Sequence, residues 1–458
     1  MQKGANLKRI LKDAVKTINS KAIYGDALLT DISELSIAKD YSTVDISNTG
    51  EKGIKLRAFN GEQWFEKFTT DLSDENIKKI ANELVENMKI VKNPITFEDE
   101  KIEKNFADVP AIDPKEITLK EKIKVIDKII DYFNKQEHLK NGRARYDEEI
   151  THKIFCSENK YLEQTLSRVM IASIAFVEDS EGAIRYSFEI DLQPGFEVSK
   201  KALQIAKTAS ENAKEVRKSK KIKPGKYHCI LSPDVSGLLA HESFGHGMES
   251  DTVYKDRALA KEWKGKRIAA DFVNIIDDGS RKNCHGTLYF DDEGQIAKPT
   301  YLVKNGIVND YITEMLTAKK MDVRRTANGK AESFDHKNYA RMTNTFFAKG
   351  PHNYKDMLKK VKDGFLIKSR GGGMEDPKAW GVQLQGLLAQ RIKNGKLLEE
   401  YYDDVGITGY LPRILGNIKE VSKEFSIGKV GHCGKGHKEW VPVDSGGSYL
   451  RIEELNLA

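Results

Sequence analysis

The run His241-Glu242-Ser243-Phe244-Gly245-His246 sets two imidazoles and one carboxylate within six residues. Neutral imidazoles are good ligands for Zn²⁺, and zinc lowers the pKa of a bound water to about 7, which makes a nucleophile available near neutrality. A carboxylate beside that water, Glu242, would serve as general base. The six residues therefore read as a metal site with its own base.

The spacing departs from the familiar HExxH helix. Histidines four apart lie about 40° apart around an ideal helix and point at one ion, whereas histidines five apart are separated by about 140°. His241 and His246 can share an ion only if the helix is locally distorted or ends within the motif. Gly245 and Gly247 flank His246 and would permit such a break. Glycine inside a helix costs about 1 kcal/mol relative to alanine, so two of them mark a specified backbone geometry.

A catalytic zinc needs a third protein ligand and leaves its fourth position for water or substrate. Cys433 lies in the glycine-dense run Gly431-His432-Cys433-Gly434-Lys435-Gly436-His437, where Lys435 would favour a thiolate. Glu249, Asp251, Glu262, Cys284 and His285 are rivals, and ligand chemistry ranks Cys433 and Glu249 level.

The wider stretch from Leu239 to Asp251 resembles the signature of the TldD/PmbA family of zinc metalloproteases, in which HExxxH is followed closely by Glu and Asp. Further landmarks come in the family's order: Asp277-Asp278-Gly279, Asp291-Asp292-Glu293-Gly294, Arg341-Met342-Thr343-Asn344, Gly371-Gly372-Gly373 and Cys433-Gly434-Lys435 before Val441-Pro442-Val443. The resemblance covers most of the chain and is strongest from about Lys226 onward. Only the TldD branch of that family keeps HExxxH, so the chain resembles the catalytic branch. The resemblance implies His241, His246 and Cys433 as zinc ligands and Glu242 as general base. It also implies a dimer, either a homodimer or a heterodimer with a family member lacking the motif, and an enclosed site suited to unfolded or flexible peptides. One departure is that His437 and Lys438 stand where the family has glycine and glutamine.

The elements that must position these residues follow from periodicity. Leu7, Ile10, Leu11, Ala14, Val15 and Ile18 have helical spacing, and a second helix begins behind Ser73 with Ile77, Ile80, Ala81, Leu84 and Met88 on one face. Strand alternation lies between them at Val44–Ile46 and Ile54–Ala58. The charged stretch 93–114 reads as a surface connection. A third helix carries Leu119, Ile123, Ile126, Ile130 and Phe133, residues 143–190 read as strands, and a long helix from about Ser199 ends in the basic run before Pro224-Gly225. A short strand, Tyr227–Leu231, then leads into the motif behind Asp234, a candidate N-cap. The fold class expected is α+β and multi-domain: an N-terminal mixed α/β domain (1–95), a central helix-packed β meander (115–222), and a mainly β domain (225–458) carrying the metal-binding helix.

A chain of 458 residues with 39% hydrophobic and 31% charged residues is a soluble globular type with room for two or three domains. With 75 basic and 69 acidic residues the net charge of +6 is a small excess, which argues against nucleic acid. No apolar run approaches the roughly 20 residues that span a bilayer, and a cytoplasmic location without membrane association is expected. Cys156 and Cys229 sit in apolar runs suited to core packing, and Cys284 suits a surface loop. The acidic pairs Asp277-Asp278 and Asp291-Asp292 adjoin glycines and suit hairpin turns better than a second metal. Gly371-Gly372-Gly373 suits a mobile loop or a backbone-contact site, and Arg341 and Asn344 suit peptide-backbone contacts or loop caps.

These features together point to a zinc metallopeptidase, with Glu242 deprotonating the zinc-bound water and returning the proton to the leaving amine. The alternatives are a non-peptidase zinc amidohydrolase and a non-catalytic peptide-binding or maturation partner.

Overall fold

The computed structural model describes residues 2–428, 430–436 and 438–458, so His437 lies outside the described residues. The N-terminal half is built on a seven-stranded sheet whose order is Trp64–Thr69, Val44–Phe59, Tyr24–Lys39, Asn141–Ser157, Lys160–Glu178 and Ile102–Ala107, with Ile184–Gln193 also paired to Lys160–Glu178. Strand Tyr24–Lys39 pairs along nearly its whole length with Asn141–Ser157. The segments expected as separate 1–95 and 115–222 domains thus share one sheet. Local periodicity cannot show this, because the pairing joins residues over a hundred positions apart.

Alternation explains how the sheet is covered. Ala27, Leu29 and Ile37 face one way, as do Ile54, Leu56, Ile154 and Cys156, and this face receives four helices. Helices Gln2–Asn19 and Asp74–Val85 cover one end, with Ser73 accepting from the Asn76 N–H as the expected cap. Helices Leu119–Phe133 and Ala202–Arg217 cover the other; Thr118 and Glu121 form a reciprocal capping box on the former. The stretch 93–114 holds a strand, Ile102–Ala107, parallel to Lys160–Thr165. It was unreadable as a strand because it lies on the sheet edge with mostly exposed polar side chains.

The opposite face packs on residues 287–340 of the C-terminal half. Leu28, Phe155 and Leu162 meet Phe290, and Leu166 meets Leu288. Polar side chains of the same face are buried with them. Arg57 donates from Nε and Nη2 to Asp26 at 2.9 and 2.6 Å and from Nη1 to Glu293 at 2.8 Å. Lys153 reaches Asp292 at 2.5 Å, and Lys55 donates to Asn338 at 2.6 Å.

The C-terminal half is organised by a twelve-stranded sheet. Its longest strand, Lys438–Leu457, pairs antiparallel with Gly225–Leu231 and with Gly431–Lys435, and parallel with Asn344–Phe347. Strand Asp363–Asp376 runs parallel to Gly225–Leu231 and antiparallel to Gly381–Lys393. Cys156 and Cys229 are wholly buried as expected; Cys284 is also buried, not in a surface loop. Among the described residues no helix is long and apolar enough to cross a membrane.

The Asp26–Arg57–Glu293 triad is 2% exposed or less at each side chain, so truncating the cation leaves two buried carboxylates unpaired. Arg57→Ala should lower stability by about 3–5 kcal/mol in urea unfolding.

Candidate active site

Strand Gly225–Leu231 ends in a helical turn, Pro233–Leu238, that continues without interruption into a π-helical segment, Leu239–Gly245, and a short 3₁₀ turn, His246–Met248. Asp234 is not the side-chain cap expected of it; it accepts instead from the Arg370 backbone N–H at 3.0 Å. The π segment supplies the distortion that the five-residue spacing demands. Hydrogen bonding from i to i+5 widens the turn, so residues five apart come to one face, as residues four apart do in an α-helix. The His241 and His246 rings lie 5.3 Å apart, edge to face.

The glycines act differently from expectation. Gly245 keeps right-handed helical angles (φ −58°) and Gly247 is not left-handed. Both are needed for close approach: a Cβ at Gly245 would lie 2.0 Å from Met342 Sδ, and one at Gly247 2.6 Å from Trp380 Nε1. Gly237, about two turns earlier, lies against the backbone of Gly446 in the same way.

Cys433 arrives from the hairpin strand Gly431–Lys435, held opposite Val441. Its Sγ is 3.2 Å from His246 Nε2, and one ligand-type atom from each of His241, His246 and Cys433 lies within 4.8 Å of the others. Ligand atoms around tetrahedral zinc are about 3.5 Å apart. Among the described residues His241 Nδ1 is buried without a hydrogen-bond partner. An orphaned imidazole nitrogen beside an imidazole and a thiol is a donor set that fits zinc. Glu242 Oε2 lies 3.8 Å from His246 Nε2, on the same cluster.

Among the rival ligands, only Glu249 comes close, and it stands behind the cluster. Its Oε2 is 3.5 Å from His246 Nδ1 and 3.0 Å from Lys435 Nζ, and its Oε1 is 3.3 Å from Arg341 Nε. That is the position of a carboxylate that orients a ligating imidazole. Asp251 pairs with Lys435 at 2.7 Å; Glu262 is exposed on a separate helix. His285 Nδ1 sits 2.8 Å from the Gly431 carbonyl, away from the three. Lys435 is thus spent on carboxylates, and the cation beside the Cys433 thiol is Arg341. Its Nη2 donates to Sγ at 3.0 Å and to the Cys433 carbonyl at 2.9 Å, and its Nη1 donates to the Glu439 carbonyl.

Arg341 is therefore a wholly buried brace; its bonds to the Cys433 and Glu439 carbonyls make it the loop cap that was one of the two sequence readings. Asn344 donates to the Asp278 carbonyl at 2.7 Å. The acidic pairs are structural too: Asp277 lies in a strand and accepts from Thr343 N–H, Thr343 Oγ1, Thr345 Oγ1 and Asn328, whereas Asp291 caps a turn through Glu293 and Gln295 N–H. Gly371-Gly372-Gly373 is a bulge within strand Asp363–Asp376, and a Cβ on Gly373 would lie 2.8 Å from Glu242 Cγ. Sequence reasoning missed Glu375 on the same strand, whose two carboxylate oxygens are buried without partners among the described residues.

The electrostatics of the cluster are those of a thiolate–imidazolium pair. Burial opposes ionisation of Cys433, but His241 and His246 outweigh it and bring the thiol down to about 5. Burial likewise opposes protonation of His246, while Cys433 and Glu249 raise it well above the usual range. Glu249, which burial would raise, is held low by Lys435, His246 and Arg341.

Comparison with known proteins agrees with this architecture. Residues 224–458, more than half the chain, match the family model described as PmbA/TldA metallopeptidase C-terminal domain. The chain is 30% identical over 422 residues to the metalloprotease MJ0996 of Methanocaldococcus jannaschii, spanning 90% of this chain and 92% of that one. It is 25% identical over 435 residues to a zinc metalloprotease TldD homolog of Saccharolobus solfataricus, spanning 93% and 94%. In fold it superposes on TldE from Thermococcus kodakarensis with a TM-score of 0.77 at 13% identity, covering 98% of this chain and 100% of that one. The chain belongs to the PmbA/TldD metallopeptidase family.

In metal-free protein, ultraviolet thiolate absorbance should report Cys433 ionised at all pH values above about 5, with the midpoint moving up in His246→Ala. Cys156 and Cys284, which burial pushes up to about 12, should stay protonated throughout.

Proposed function

We propose that this chain is a zinc-dependent peptidase in which His241, His246 and Cys433 hold the metal and Glu242 is the general base. The observation that carries the reading is the meeting of Cys433 with the histidine pair, 187 positions away in the chain, beside a carboxylate on the same π turn. Zinc, when bound there, supplies a Lewis acid that acidifies a water and polarises a carbonyl. The remaining work falls to side chains. Glu242 takes the proton of the attacking water and passes it to the departing amine. Glu249 keeps the His246 ring in its ligating orientation, and Arg341 holds the Cys433 thiolate in place and stabilises its charge.

Unfolded or flexible peptides are the proposed substrates. Beyond Ile367 strand Asp363–Asp376 loses its parallel neighbour, and among the described residues its stretch from Gly373 to Asp376 pairs on one side, with Gly381–Leu384 of the strand Gly381–Lys393. The unpaired edge runs past Glu242 at Gly373. An extended peptide added there binds through main-chain hydrogen bonds, with little dependence on side chains. A segment already paired inside a folded protein is not free to add in this way. Assembly is proposed as a homodimer or as a heterodimer with a family member lacking HExxxH, and no role for nucleic acid or membrane enters. A cytoplasmic site of action belongs to the same proposal.

Glu242→Gln preserves the shape of the site and removes the base. The zinc-loaded variant should keep its metal and lose ~10²–10⁴ in the rate of cleaving an unstructured peptide. Cleavage at an undiminished rate would contradict the assigned role.

A further inference from the structure

The Glu375 carboxyl is buried and takes no part in the proposed reaction. It lies on strand Asp363–Asp376, opposite Val382, in the regular stretch after the glycine bulge. Alternation puts it on the same face as Gly373, the face that touches Glu242, while Met374 between them is 66% exposed. Neither carboxylate oxygen has a hydrogen-bond partner among the described residues, and both are shielded from solvent. Unpaired buried carboxylates are costly and call for a partner.

The described lysine and arginine of the cluster are already engaged. Lys435 serves Glu249 and Asp251, and Arg341 serves Glu249 and Cys433. A zinc dication would be balanced by one thiolate, Cys433, and one carboxylate, Glu242. Glu375 is left over: burial opposes its ionisation, His246 favours it in the metal-free site, and Glu249, Glu242 and Asp376 oppose it. No described residue pairs with it, and a cationic partner arriving with the substrate would neutralise it.

We propose that Glu375 receives a primary ammonium group of the bound peptide, either its α-amino terminus or a lysine side chain. The inference rests on the peptide-binding reading of the site and adds a charge preference to it. Burial raises the Glu375 carboxyl well above its usual range in the free protein, which is the signature of a charge without compensation. A hydrogen-bonded ammonium would supply that compensation.

The test is equilibrium binding, by fluorescence anisotropy, to zinc-loaded full-length Glu242→Gln protein, which holds peptides without turning them over. Three versions of one unstructured peptide are compared: free amino terminus without lysine, acetylated without lysine, and acetylated with one lysine. The acetylated lysine-free peptide should bind about tenfold or more weakly than the free-terminus peptide. Restoration by lysine assigns the group to a side chain as well, and failure to restore assigns it to the terminus. Adding Glu375→Gln, with folding checked by thermal unfolding, should abolish the differences. Equal binding of all three, a preference that survives Glu375→Gln, or no binding of any peptide would overturn the proposal. Cleavage of the acetylated lysine-free peptide by the Glu242-containing protein as fast as the free one would overturn it too, yet leave the peptidase reading intact. Preserved binding preference without cleavage of any peptide would do the reverse.

Discussion

Two imidazoles five residues apart must face one point from a single helical segment, and most of the C-terminal half can be understood as a response to that demand. The π segment Leu239–Gly245 meets it by widening the turn, and a widened turn takes more room than an α-helix. That room is found by removing side chains around it. Gly237 lies against Gly446, Gly245 against Met342, Gly247 against Trp380, and Gly373 against Glu242. In each case a single methyl group would overlap its neighbour, so the glycines bring packed surfaces together and do not loosen them.

The second demand is electrostatic. A thiolate, two carboxylates and an imidazolium gathered in a buried site would not be tolerated without compensation. Arg341 and Lys435 supply it from behind: one touches Cys433 and Glu249, the other Glu249 and Asp251. The Cys433 hairpin is therefore tied to the π turn by charge as well as by the strand Lys438–Leu457 to which it pairs. Farther out, the Arg57 triad performs a similar office between the N-terminal sheet and the C-terminal half, so the wall of the interior holds polar contacts that exclude a slipped register.

What the amino-acid sequence revealed follows from the range of the forces involved. The helices at 2–19, 74–85 and 119–133 are amphipathic, the latter two are locally capped, and their periodicity is visible within one window. The HExxxH spacing announced a distorted helix before any fold was known. The union of the first two segments in one sheet, the edge strand Ile102–Ala107 and the inward side of Arg341 all depend on distant pairing, which leaves no local trace. Cys433 could be placed beside the histidines only through family resemblance, since ligand chemistry left it level with Glu249. Glu375 carried no signal at all: its neighbours Met374 and Asp376 face solvent, and His246, Glu249 and Glu242, which act on it, lie more than a hundred residues earlier.

The central claim is that His241, His246 and Cys433 form one metal centre. It is tested most directly by counting zinc in the purified protein beside His246→Ala and Cys433→Ala, with cleavage of an unstructured peptide followed before and after chelation. The account predicts about one zinc per chain, lost in both variants together with chelator-sensitive cleavage. Zinc retained at full occupancy in Cys433→Ala, or cleavage that persists after complete removal of metal, would contradict it.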